Sequence, residues 1–145
     1  MLPFVFIGAG AVLVVLYVLV GPSRAEASAI SPAVGRGFQF LPNVNWSGVG
    51  REIRYAIDVA NEVYLAIAGQ PVVVTSLNDS VHMPGSLHYA GSAADLRTHT
   101  LSGDQVQRVW SALNARLYWQ GFDVVLESNH IHVEYDPKPG REFAG

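Results

Sequence analysis

Hydrophobic and polar positions change period several times along the 145-residue chain, and each change marks an element. From Leu2 to Val20 no charged residue interrupts the apolar run, which Gly21-Pro22 closes. As a helix rising about 1.5 Å per residue, this stretch would cover roughly 28 Å, close to the hydrocarbon thickness of a bilayer. A helix apolar on every face has no place in a core this small, so the segment reads as membrane-directing. Ala25-Glu26-Ala27 and Ala27-Ser28-Ala29 offer the small-x-small cleavage sites of a signal peptide. The missing basic n-region and the length of the run favour an uncleaved anchor. Arg24 mildly favours holding the following side in the cytoplasm, but export is the expected outcome. Residues 1–22 are thus assigned as membrane anchor or signal segment, and residues 23–45, rich in Gly, Pro, Ser and Asn with Phe38 and Phe40, as a linker.

Residues 46–145 carry the periodicities of one domain. Between Val49 and Ala68, Ile53, Ile57, Ala60, Tyr64 and Ile67 recur at the spacing of one helical face, with Gly69 at the expected stop. Val72-Val73-Val74-Thr75 is β-branched and suits a buried strand, and a polar loop follows from Ser76 to Gly85. A second helical stripe runs through Val106, Val109 or Trp110, Leu113 and Leu117, within Asp104 to Gln120, and Gly121 ends it. Trp110 and Trp119 fall at helix-compatible core positions. Phe122 to Glu127 and His130 to Tyr135 then predict two strands joined by a tight turn at Ser128-Asn129. No internal repeat is visible. The expected fold is α+β, a small antiparallel sheet with helices packed on it.

Composition narrows the chemistry. Half the residues are hydrophobic and 14% are charged, which excludes a disordered chain. A net charge of −3 offers no basic field for phosphates, so nucleic acid is excluded as an expected partner. With no cysteine, any metal must be held by His, Asp or Glu.

The histidines are grouped. Ser86-Leu87-His88-Tyr89-Ala90-Gly91-Ser92-Ala93-Ala94-Asp95 places an imidazole shortly before a carboxylate, with small residues between that permit a tight turn. His130-Ile131-His132 follows much later. On a strand, positions i and i+2 share a face, so both imidazoles can look into one cleft while Ile131 and Val133 enter the core. Three N/O ligands with an open fourth position describe a catalytic zinc site. His88, Asp95 and one of the two paired histidines would supply them.

Ser-x-His-x-x-Gly-x-Ala-x-Asp followed by His-x-His resembles a family of zinc peptidases. The family groups D-alanyl-D-alanine carboxypeptidases and dipeptidases, phage L-alanyl-D-glutamate endolysins, a bacterial murein endopeptidase and the hedgehog signalling domain. The resemblance covers roughly residues 72–135 and every fixed position of the motifs is present. It implies a hedgehog-type peptidase fold and zinc held by His88, Asp95 and His132, with His130 as an auxiliary site histidine. It further implies the stem peptides of peptidoglycan as substrate; the membrane-directing segment is expected to put the domain on the cell-wall side, in periplasm or at the cell surface, and a monomer is expected. The sequence departs from the pattern at Asn129, where many carboxypeptidase members carry an acid three residues before the last zinc histidine.

Two acids can repair the departure. Glu127 lies five residues before His132 and three before His130, so a turn at Ser128-Asn129 can bring it to the water as catalytic base. Were His130 the ligand, Glu127 would stand at the family's acid-to-ligand spacing. Glu134 shares parity with both histidines and suits a carboxylate that orients a ligand ring. His82 can line the cleft, Ser86 can bond a ligand or substrate, Arg97 can hold a peptide carboxylate or face solvent, and His99 is expected at the surface. Without a catalytic acid the same fold would instead be an inactive, zinc-stabilised domain that binds cell wall or protein.

Overall fold

The computed structural model describes residues 37–79 and 81–145. The apolar run from Leu2 to Val20 lies outside the described residues. Among these residues no helix is long and apolar enough to cross a membrane.

Among the described residues, five strands and two α-helices form the domain. β1 is Gln39–Phe40, α1 Arg51–Ala68, β2 Val73–Ser76, β3 Ala93–Arg97, α2 Gly103–Leu117, β4 Phe122–Leu126 and β5 His130–Tyr135. A short 3-10 turn, Leu87–Ala90, precedes β3, and a second, Tyr118–Gln120, extends α2. α1 forms where the apolar spacing predicts it, burying Ile53, Ala56, Ile57, Val59, Ala60, Val63 and Tyr64. It stops at Gly69, whose N–H bonds the Leu65 carbonyl at 3.1 Å. α2 starts at a capping box, in which Ser102 Oγ accepts from the Gln105 N–H and the Gln105 side chain accepts from the Ser102 N–H.

The sheet runs β1-β2-β3-β5-β4. It is mixed, not purely antiparallel as expected, because β1 pairs parallel with β2 (Gln39 with Val73, Phe40 with Val74). Segment 23–45, read as linker, therefore supplies an edge strand; Val44 is buried, and Phe38 and Leu41 pack against the core. Two residues are too few for a period-2 signal, which hid β1. β3 was also unpredicted, because Ala93-Ala94-Asp95 lacks the β-branched residues that mark a strand.

Both helices pack on one face of the sheet. Val74, Ala94, Leu96, Phe122, Val124, Ile131 and Val133 enter a single core with the buried faces of α1 and α2. Tyr64 on α1 donates its hydroxyl to the Arg97 carbonyl at 2.8 Å, fixing the helix to the end of β3. Phe143, near the C-terminus, packs on Tyr55 at 5.0 Å between ring centroids. Because side chains alternate along a strand, the residues between these core positions leave the sheet on its other face, which neither α1 nor α2 covers.

Candidate metal centre

His88 reaches that open face from a constrained loop. Ser86 caps the turn Leu87–Ala90, its Oγ accepting from the His88 N–H at 3.3 Å. Gly91 follows at φ +67, and its carbonyl accepts from the Gly50 N–H at 2.9 Å, tying the loop to the start of α1. A Cβ at Gly91 would run into the Gly48 carbonyl, so the motif needs glycine there for both backbone shape and close approach. His88 itself is 2% exposed. Its Nδ1–H donates to the Leu77 carbonyl. A carbonyl only accepts, so Nδ1 carries a proton and Nε2 is the ring atom turned toward the group, able to bind a cation in its unprotonated form.

Register supplies the other donors. β3 pairs antiparallel with β5, placing Asp95 opposite His132 and Arg97 opposite His130. His132 Nδ1 lies 2.9 Å from Asp95 Oδ1. His88 Nε2 lies 3.3 Å from the same oxygen and 3.3 Å from His132 Nδ1. His88, Asp95 and His132 thus form a group that can hold a metal ion, each offering one atom within 4.8 Å of the others. Ligands on a tetrahedral zinc at about 2.05 Å stand about 3.3 Å apart, so the donor set fits such an ion with little rearrangement.

The electrostatics agree. Burial raises the Asp95 pKa, but hydrogen bonds to His132 and His88 outweigh it and hold the carboxyl well below the usual carboxylate range. Asp95 is therefore an anion at neutral pH. The His132 pKa is raised, chiefly by its hydrogen bond to Asp95, against burial and with help from Glu134. Glu134 Oε2 accepts from His132 Nε2–H at 3.2 Å. With Nε2–H committed to Glu134, Nδ1 faces Asp95 and takes up either a proton or a metal. A carboxylate behind a ligand imidazole fixes the ring and raises its basicity. Glu134, expected only as one option, has this position.

His130 and Glu127 come together beside the group, not within it. His130 Nε2 is 3.3 Å from Asp95 Oδ1 and 3.6 Å from Glu127 Oε2. Glu127 closes the β4–β5 hairpin, its N–H donating to the His130 carbonyl at 3.0 Å, and its side chain is 49% exposed, open to water. Asn129 has a positional role, because its Oδ1 accepts from His130 Nδ1–H at 2.8 Å and leaves Nε2 facing the two carboxylates.

Other residues singled out from the sequence divide. His82 stacks on His88 with ring centroids 3.8 Å apart, and burial together with the His88 charge lowers its pKa. The hydroxyl of Tyr89 bonds both the N–H and the carbonyl of His82 at 2.8 Å, holding the loop there. His99 is exposed, as expected. Trp110 packs against the core and donates to the Val124 carbonyl at 3.0 Å, whereas Trp119, read as a packing residue, is half-exposed and lies edge-on to Tyr118. Sequence reasoning missed the Leu77 carbonyl and the Asn129 side chain as ring anchors. The first could not be found, because any residue offers a carbonyl.

A scan of the chain against protein-family models finds no match, and neither does a search of curated proteins.

Proposed function

We propose that the chain is a zinc-dependent peptidase that hydrolyses bonds in the stem peptide of bacterial peptidoglycan, exported or membrane-anchored through its N-terminal segment. The observation that carries this reading is the His88, Asp95 and His132 group, with both imidazoles oriented from behind and the whole set on the open face of the sheet. Asp, His and His donors without thiolate are the set of a catalytic zinc site, not of a closed structural one. When bound there, zinc supplies Lewis acidity and lowers the pKa of water toward neutrality.

The chain's own residues supply the rest. Glu127, half-exposed beside His130, accepts the proton of the attacking water at its carboxylate and delivers it to the leaving amine. His130, when it carries a proton on each nitrogen, keeps Nδ1–H on Asn129 and offers Nε2–H as a donor to the developing oxyanion. The Leu77 carbonyl and Glu134 hold the ligand imidazoles in place through the cycle. Carboxypeptidase, dipeptidase and endopeptidase cleavage would share this centre, and the contacts that hold the substrate's ends select among them.

A second reading is favoured by one feature. Asn129 replaces the acid expected before the last histidine, and an inactive, zinc-stabilised domain binding wall or protein would need no acid there. Zinc-dependent hydrolysis separates the readings. The full-length chain in detergent, supplied with muropeptides with and without chelator, is expected to bind one zinc and to yield products identifiable by mass. Zinc binding without product selects the binding domain, and failure to bind zinc overturns both.

A further inference from the structure

Charge on the open face is unevenly satisfied. Among the described residues, every lysine and arginine but one has a partner: Arg51 meets Glu52, Arg108 Asp104, Arg116 Glu62, and Lys138 and Arg141 share Asp123. Arg54 donates to the Val49 and Trp46 carbonyls. Arg97 has none. Its Nε is buried without a hydrogen-bond partner, and it joins no ion pair among the described residues. A guanidinium partly withdrawn from water without an acceptor costs free energy, which an incoming anion would recover.

Its position is informative. Arg97 follows Asp95 by two residues on β3 and stands opposite His130 on β5, so it shares the face of the metal group. The acids of that face are engaged: Asp95 by three imidazoles, Glu134 by His132, Glu127 by His130. The backbone of Arg97 is held by the Tyr64 hydroxyl at 2.8 Å, which gives the side chain a fixed base.

We propose that Arg97 is a substrate-binding residue that takes a carboxylate of the peptide in its planar fork. Two residues along a strand measure about 7 Å, the length of about two residues of extended substrate, so the carboxylate lies that close to the bond presented to the metal group. Arginine suits a carboxylate because two parallel N–H donors match its two oxygens. The proposal rests on the peptidase reading above. The carboxylate can be the C-terminus of the peptide or one within it, such as the free carboxylate of a γ-linked glutamate.

Calorimetric binding to the zinc-supplemented full-length chain tests this with two peptide pairs. One pair is L-Lys-D-Ala-D-Ala as acid and as C-terminal amide; the other is an amide-ended stem peptide with its glutamate carboxylate free or amidated. The wild type is expected to bind one acid about ten- to a hundredfold more tightly than its amide, the worth of a charged hydrogen-bond pair. Arg97→Ala and Arg97→Gln should erase that preference while keeping zinc, and Arg97→Lys should retain part of it. The pair that discriminates tells which carboxylate is held. If the wild type prefers neither acid, or if the preference survives in both neutral variants, the anchor is wrong. An acid preference that depends on Arg97, with no zinc-dependent product by mass, overturns the peptidase reading and leaves the anchor standing. Should Arg97→Ala fail to fold, Arg97→Gln, which retains a polar side chain of similar reach, carries the test.

Discussion

The two faces of the central sheet are built from alternate residues of the same strands, yet they do opposite work. On β5, Ile131 and Val133 are buried among the helices, while His130, His132 and Glu134 leave on the open side. On β3 the same division sets Ala94 and Leu96 against Asp95 and Arg97. Stability is concentrated on one face and titratable groups on the other, separated by one residue of register. A substitution on either face should therefore register in one measurement and leave the other nearly unchanged.

The sharpest test of that division uses neighbouring residues. His132→Ala should remove zinc and reduce muropeptide hydrolysis to background while circular dichroism keeps the native fold. Ile131→Ala, at a fully buried position, should cost about 2–5 kcal/mol in denaturant unfolding, from lost burial and the cavity left behind. Its folded fraction should still bind zinc. If His132→Ala unfolds the chain, the faces are not independent.

Next in size is Glu127, on the rim of the open face. Glu127→Gln should retain zinc and lose about 10²–10⁴-fold in turnover, the usual contribution of general-base catalysis. Unchanged turnover would move the proton to another group, Glu134 being the next to replace.

Glu134→Gln probes the open face more gently, because it alters the support of His132 without replacing a proposed ligand. Loss of an orienting carboxylate typically weakens metal binding by about 10- to 100-fold. The pH dependence follows from the raised His132 pKa. Proton and metal exclude each other at Nδ1, so affinity is complete above that raised pKa and declines as pH falls through it, by up to about tenfold per unit. Because Glu134 helps to raise the pKa, its replacement should move this decline to lower pH. Zinc titrations across pH on both proteins would show it.

The smallest effect belongs to the helix side. Ser102→Ala removes the capping box of α2 and should cost about 1 kcal/mol while zinc affinity stays at the wild-type value. A shift in affinity would reveal coupling between the faces.

Much of this arrangement is legible in the sequence. The stripes of α1 and α2 and the alternation in His130-Ile131-His132-Val133 are local periodicities, and local geometry turns them into faces without reference to the rest of the chain. The type and order of the candidate donors can be read the same way. Distance, by contrast, is set by the tertiary fold. His132 and Asp95 are 37 residues apart and His88 and His132 are 44 apart, so their meeting depends on the pairing of β3 with β5 and on the Gly91 loop seated against α1. That pairing brings His132 into the group and places His130 beside it, with Glu127, where spacing alone left either histidine possible. The parallel β1 edge, the Leu77 carbonyl behind His88 and the isolation of Arg97 emerge only in three dimensions, because backbone acceptors carry no residue identity and an absent partner leaves no pattern along the chain.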